Sequence, residues 1–464
     1  LTQKNEFDII VDISIIDGFS HPSGYEGFLM RDLKVHNCSY HLAVFKIHNF
    51  SPSWAAAKYV AFDLAEVAYN FNNVEHSAVF RVVDLVHIAW TNWVFHHNAG
   101  MMIFTDAPAK TPSVALLLHG KYNENYMTHR RMFLSVAANV ISYDIEIKNN
   151  RGLTEVLGSE YMGPRVFELA KRQSTPSKQT FEQIKAYGNY HLSNGGIFIG
   201  SDITMISRRS VFYNNHSISR GGVLDCFIGG CPQSYDNIYV HNMAKNAGSV
   251  VYSYSSSGAQ FTNCQFLKNG RLDPENDVTP FLQDIGDIYT PTESRLTELL
   301  DEIPTAPSSS EYTGILSVAL NQTFMGENNP WIPLVPVIER NFDLITSEGT
   351  FVATISAKIV IIDSIVKENV ARDSAFLALQ SCGTEVTKIT GTTSQGTKII
   401  NNRAIRDEST GEGGEYLIRS SQCDSEMEHV FIENNQADTT SAGIFVAFGK
   451  LTVKSTIMQN QGRE

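Results

Sequence analysis

One spacing constrains this chain more than anything else in it. A bulky apolar residue, two variable residues and then an asparagine recur, best at Phe95–Asn98, Phe212–Asn215, Phe266–Asn269 and Phe431–Asn434. Looser copies end at Asn72, Asn125, Asn150, Asn242, Asn369, Asn402 and Asn460; Asn37, Asn189 and Asn341 fit less well. Intervals from Asn72 to Asn150 are 26, 27 and 25 residues, and from Asn189 to Asn269 they are 26, 27 and 27. From Asn341 to Asn460 they are 28, 33, 32 and 26. A near-constant interval held through three blocks marks a structural repeat.

A second element follows the asparagine within several residues: a small residue, often Gly, then a β-type apolar run, as in Gly195–Ile199, Gly221–Leu224, Gly248–Val251 and Ala442–Phe445. A unit of roughly 26 residues cannot bury an apolar face alone, whereas stacked units share one continuous core. The expected fold is therefore all-β, a right-handed parallel β-helix with loop and helical insertions. Asn suits its tight corners because it tolerates a left-handed backbone and can bond a neighbouring turn. A propeller blade needs roughly 40 residues, more than the short intervals allow.

The paired signatures, Phe-x-x-Asn and Gly-Gly followed by apolar residues, resemble the repeats of chlamydial polymorphic outer-membrane proteins and of large pectin-lyase-like surface proteins of protists. The likeness is best over 189–270 and 364–460; over 1–70 the Gly-Gly element is missing. The resemblance implies a surface-located adhesive or structural β-helix.

The rhythm divides the chain into N-terminal rungs (1–150), an insertion (151–183), central rungs (184–270), an insertion or linker (271–313) and C-terminal rungs (314–464). Helices are expected around Pro164–Arg172 and Ser294–Leu300. Phe324 and Asn328 form an irregular copy. Insertions in solenoids loop out from one face and often bind there. The first residue is Leu1 rather than Met, and no polar cap follows Asn460. The N-terminus is expected to be processed or incomplete, and the C-terminal rungs to continue or to be capped by a partner subunit.

The net charge of −13 argues against nucleic acid as a partner. No run of 18 apolar residues offers a membrane span. Many β-helices act on acidic polysaccharides, but no Asp-Asp pair is present and the acidic residues are scattered. Asp202, Asp225 and Asp236 could approach one another across rungs, with Arg208 or Arg209 nearby, though solvated turn positions are the simpler reading. His36, His41 and His48 lack metal spacing. His96 and His97 are neighbours on a strand and are expected to point to opposite faces, so no metal or cofactor is expected.

Of the six cysteines, Cys382 and Cys423 end similar strand-plus-turn units and should stack within bonding range. Cys226 and Cys231 flank a Gly-containing turn and could close a small loop; Cys38 and Cys264 read as free thiols. Sequons occur at Asn37, Asn49, Asn215 and Asn321, with Asn321 and Asn49 the better glycosylation candidates because the other two are corner positions. The expected function is non-catalytic: a structural or adhesive building block of a cell surface or extracellular filament or coat. Its expected partners are protein subunits, through solenoid ends or insertion loops, and glycans. A polysaccharide lyase or glycoside hydrolase is the alternative, and an intracellular β-helical scaffold is a third.

Overall fold

In the computed structural model the described residues lie within 7–462, apart from 16–26, 50–58, 71–77, 107–112, 153–164, 171–177, 282–294, 300–344, 407–412 and stretches of at most four residues elsewhere. Asn37, Asn72, Asn321, Asn328, Asn341, Cys231 and Asp202 fall outside the described residues.

The chain is a parallel β-helix, the right-handed sense being the one that parallel crossovers adopt. Thirteen strands stack in sequence order into one sheet, from Phe7–Ile15 to Ile444–Ala447. The opposite wall is made of long strands bent at a left-handed residue. Lys178–Tyr187, bent at Gln183 (φ 56°), pairs with two consecutive short strands of the next rung, Thr204–Arg208 and Val211–Tyr213. A narrow third sheet of two-residue strands follows the asparagine corner, for example Tyr190–His191 beside His216–Ser217.

Side-chain alternation puts every second residue of each strand inside. The residue three before each corner asparagine is always interior: Val67, Phe95, Tyr122, Ile147, Ala186, Phe212, Tyr239, Phe266, Val366, Ile399 and Ile432 are all fully buried. Equivalent residues stack, so Phe212, Tyr239 and Phe266 form a column with ring centroids 5.0 and 4.9 Å apart. The Gly-Gly element has two separate causes. Gly221 adopts φ 60°, while a Cβ on Gly222 would lie 2.1 Å from the Ser249 carbonyl oxygen of the next rung.

The corner asparagines form a continuous hydrogen-bonded ladder: Asn70, Asn98, Asn125, Asn150, Asn189, Asn215, Asn242, Asn269, Asn369, Asn402 and Asn435. Within the ladder an amide such as that of Asn215 uses its whole bonding capacity. Asn215 donates from Nδ2 to the Ala186 carbonyl (2.9 Å) and to Asn242 Oδ1 (3.0 Å), while its own Oδ1 accepts from the backbone N–H and Nδ2 of Asn189. At the first rung Cys38 takes this position, its N–H donating to Asn70 Oδ1 (3.0 Å).

Two ladder expectations are corrected. Asn70, not Asn72, is the member of its rung. Asn435 replaces Asn434, because the strand register sets Ile432 opposite the buried Ile399 and turns Phe431 outward opposite Lys398. Asn434 instead holds the left-handed position before the ladder (φ 53°). Asn460 lies in the last strand, Ile457–Gly462, across from the irregularity between Glu433 and Gln436. The helix expected around Pro164–Arg172 is a strand, Arg165–Ala170, because Phe167 stacks between Phe133 and Phe198 in the core.

The long insertion leaves the stack intact. Val251–Tyr254 pairs directly with Phe351–Thr354, and Asn269 bonds Asn369 across 100 residues of sequence. Cys382 and Cys423 are bonded across neighbouring rungs, Cα to Cα 4.9 Å. Cys226 is also disulfide-bonded, and Cys38 and Cys264 are free.

The register correction generates a test. Asn435→Ala strips partners from the buried Asn402 amide and the Ile399 carbonyl and is expected to cost on the order of 3 kcal/mol. Asn434→Gly, at an exposed left-handed position, should change stability by less than about 0.5 kcal/mol. Urea unfolding of the two variants separates them.

Candidate functional site

Of the carboxylates that could approach one another across rungs, the two described ones stand apart. Asp225 lies on Leu224–Phe227 in the thirteen-stranded sheet, whereas Asp236 sits at a left-handed bend on the opposite wall, where its carboxylate accepts from Asn263 Nδ2 (2.6 Å). Arg208 and Arg209 both reach Glu182. Glu182 belongs to none of the repeat signatures in the sequence.

Glu182 is fully buried on the outer side of Lys178–Tyr187. Arg209 bonds its Oε1, and Arg208 approaches Oε2 at 4.0 Å. Arg295, from the long insertion, clamps both oxygens through Nε (2.9 Å) and Nη2 (2.7 Å). This fork geometry is the strong form of carboxylate recognition. It raises the guanidinium pKa further above its already high ordinary value. One turn along, Leu299 seals an apolar outer patch made by Ala61, Ala89, Leu116, Leu118, Ile141 and Tyr143, among others. Nearer Asn269, Val278 and Phe281 cover Val211, Tyr213, Ile238 and Val240, and Asp273 accepts from the Tyr213 hydroxyl. Burial first, and that carboxylate second, push the Tyr213 pKa up. The insertion therefore docks along the bent wall, and Glu182 is the charged anchor of the docking.

The outer face of the thirteen-stranded sheet carries the other concentration of reactive groups. Asp225 and Tyr252 are direct cross-strand neighbours. The Arg220 guanidinium lies 4.7 Å over the Tyr252 ring, and the Tyr252 hydroxyl meets Thr354 Oγ1 at 3.1 Å. Three rungs along the sheet from Tyr252, Arg419 Nη1 is 2.6 Å from Asp373 Oδ2. Glu348 sits among Asp373, Arg419 and Arg220. Burial, and then the Asp373 charge, raise its carboxyl above the ordinary range, with the two arginines opposing. The site thus holds one carboxyl biased toward the protonated form beside a carboxylate tied to an arginine. A carboxyl biased toward its protonated form can act as an acid beside a second carboxyl. Burial first raises the Tyr252 phenol, which disfavours its use as a base near neutral pH. Rung-long sequence spacings hid this cluster: Arg220, Glu348 and Asp373 converge only through the crossing of the insertion.

The expectation for His96 and His97 is also corrected. His97 occupies the left-handed position before the ladder (φ 53°), which breaks strand alternation, and the two rings meet with Nδ1 atoms 2.9 Å apart. Among the described residues, no three His, Cys, Asp or Glu side chains converge as a metal cage. Asn49 ends the strand Tyr40–Asn49, and Asn215 is fully buried in the ladder. Burial pushes the Cys264 thiol up to about 12, which makes it a poor nucleophile.

No family model matches the chain, and no curated protein matches it. Among solved structures there is a likeness to the PL6-family alginate lyase AlyGC, at 9% identity over 97% of this chain and 80% of that one, with a TM-score of 0.16. A likeness this slight carries no argument about activity.

Two outcomes follow from these clusters. Glu182→Ala leaves three arginines facing a buried void and should cost about 3–5 kcal/mol. It should also raise amide hydrogen exchange at Leu299, read by mass spectrometry. For Glu348, the folded pKa is raised, so its stability contribution is full below the ordinary carboxylate value and declines as pH rises through the raised one. Glu348→Gln should therefore raise the thermal midpoint at neutral pH and leave it unchanged in acid, where both side chains are neutral.

Proposed function

We propose that this chain is a non-catalytic β-helix, a structural or adhesive element of a cell surface or an extracellular filament or coat. The observation that carries this reading is that its clustered charges are committed to one another. Glu182 is held by arginines, Asp373 by Arg419, and Arg220 lies over the Tyr252 face. A site that must recognise an acidic polymer keeps cationic donors open for it. The cross-rung disulfide supports an oxidising compartment.

A second reading is a polysaccharide lyase or hydrolase, favoured by one observation: the Glu348–Asp373 pair, whose surroundings push the first carboxyl toward its protonated form beside a paired carboxylate. In that reading Glu348 is the acid, Asp373 the base, and Arg220 and Arg419 hold a sugar carboxylate.

Incubation with alginate and with polygalacturonate decides between them. Unsaturated-uronate absorbance and new reducing ends should both stay at the level of the Asp373→Asn variant. Product formed by the wild type and lost in Asp373→Asn would replace the structural reading with the enzymatic one.

A further inference from the structure

The outward side of the first rungs carries a group of side chains that neither reading uses. Tyr69, His97 and Glu124 hold the left-handed position on three consecutive rungs, with φ of 58°, 53° and 57°, so they stack in one column. His36 and His96 flank Ala68 in register on the adjacent column, and Glu66 lies beside them. The Tyr69 ring stacks on His97 (5.3 Å, 20°) and meets His96 edge-on (5.6 Å, 82°).

The protons of the two imidazoles can be placed from their neighbours. His97 Nε2 is 3.0 Å from Glu124 Oε2. His96 Nε2 is 3.6 Å from Glu66 Oε1, which His36 Nε2 approaches at 3.3 Å. A carboxylate beside each Nε2 favours the tautomer with the proton on that nitrogen. Both Nδ1 lone pairs then point at each other across 2.9 Å. Moving either proton to Nδ1 would relieve that contact but set an Nε2 lone pair against a carboxylate. A cation between the rings, either an added proton shared by the two Nδ1 atoms or a metal ion, removes the conflict.

We propose that His96 and His97 bind a divalent transition-metal ion of the imidazole-preferring class through their Nδ1 atoms. With metal–nitrogen bonds of about 2.0–2.1 Å, a 2.9 Å separation subtends about 90° at the metal. That angle belongs to square-planar and octahedral ions, so Ni²⁺ and Cu²⁺ fit better than tetrahedral Zn²⁺. Glu66 and Glu124 supply the second layer that orients ligating imidazoles and raises their basicity. The Tyr69 hydroxyl, buried here without a hydrogen-bond partner, is a further polar group at the same place. No third protein ligand converges among the described residues, which leaves the other positions of the ion to water.

Calorimetric titration of the whole chain with Ni²⁺ tests this. The wild type should bind at a single site and gain thermal stability with the ion. His96→Ala and His97→Ala should each abolish both effects, and Glu124→Gln should weaken binding roughly 10–100-fold. His429→Ala, at a left-handed bend on the far rungs, should bind as wild type, and circular dichroism checks that every variant is folded. Wild type that takes up no Ni²⁺, or His96 and His97 variants that bind it unchanged, would overturn the assignment.

Discussion

The rest of the molecule hangs on the side-chain amide of the corner asparagine. It has two donors and two acceptor sites, and each is used by the ladder. One donor reaches back to the carbonyl of the residue three before the preceding corner, and the other reaches forward to the next amide. That geometry sets three neighbours at once. The residue before the asparagine must be left-handed, as at His97, Glu124, Asn149, Asn214 and Glu368. The residue three before must face the core, and its carbonyl must sit where the next rung's amide can reach it. Aspartate lacks the donors, and glutamine would displace the oxygen by a methylene. The corner therefore specifies register and core together.

Because the ladder bonds rung to rung, it does not depend on what the chain does in between. Consecutive members are 25 residues apart at Asn125 and Asn150, and 100 apart at Asn269 and Asn369, yet the amide contacts are 3.2 and 3.0 Å. Closing a longer loop costs only about 0.6 kcal/mol per doubling, so a large excursion is compatible with an unbroken stack. What the excursion does is decided on the outer surface. Here its described residues return to the bent wall and close an apolar patch with Leu299 and a buried charge with Arg295.

The sequence exposed the part of this order that repeats. The rung length, the interior residue three before the corner, the small residue after it and the pairing of Cys382 with Cys423 all recur at fixed offsets, and offsets are visible in one dimension. Adjacent asparagines were not separable in that way: whether Asn434 or Asn435 joins the ladder depends on which of Phe431 and Ile432 faces inward, a question of register. Arg165–Ala170 reads as helix by local pattern and is a strand because Phe167 completes an aromatic column. The outer clusters were hidden for a different reason. Glu182 and Arg295 are 113 residues apart, and their meeting depends on how an insertion folds back. Asp225 and Asp236, close in sequence, stand on different walls because eleven residues carry the chain around a corner.

The left-handed column explains why surface chemistry on this fold differs from that on an ordinary sheet. On a flat strand, consecutive side chains oppose each other, and a pair such as His96 and His97 would be divided between core and solvent. A left-handed residue suspends the alternation for one position, so two neighbours in sequence project outward together. Stacking repeats that position every rung, which places Tyr69 below His97 and Glu124 above it. The His pair belongs to one rung, while its carboxylates belong to the rungs on either side. Anything that draws these groups together acts across three rungs at once. In a quasi-one-dimensional fold, where stability resides in nearest-neighbour contacts, such an outward site can reinforce stacking without entering the core.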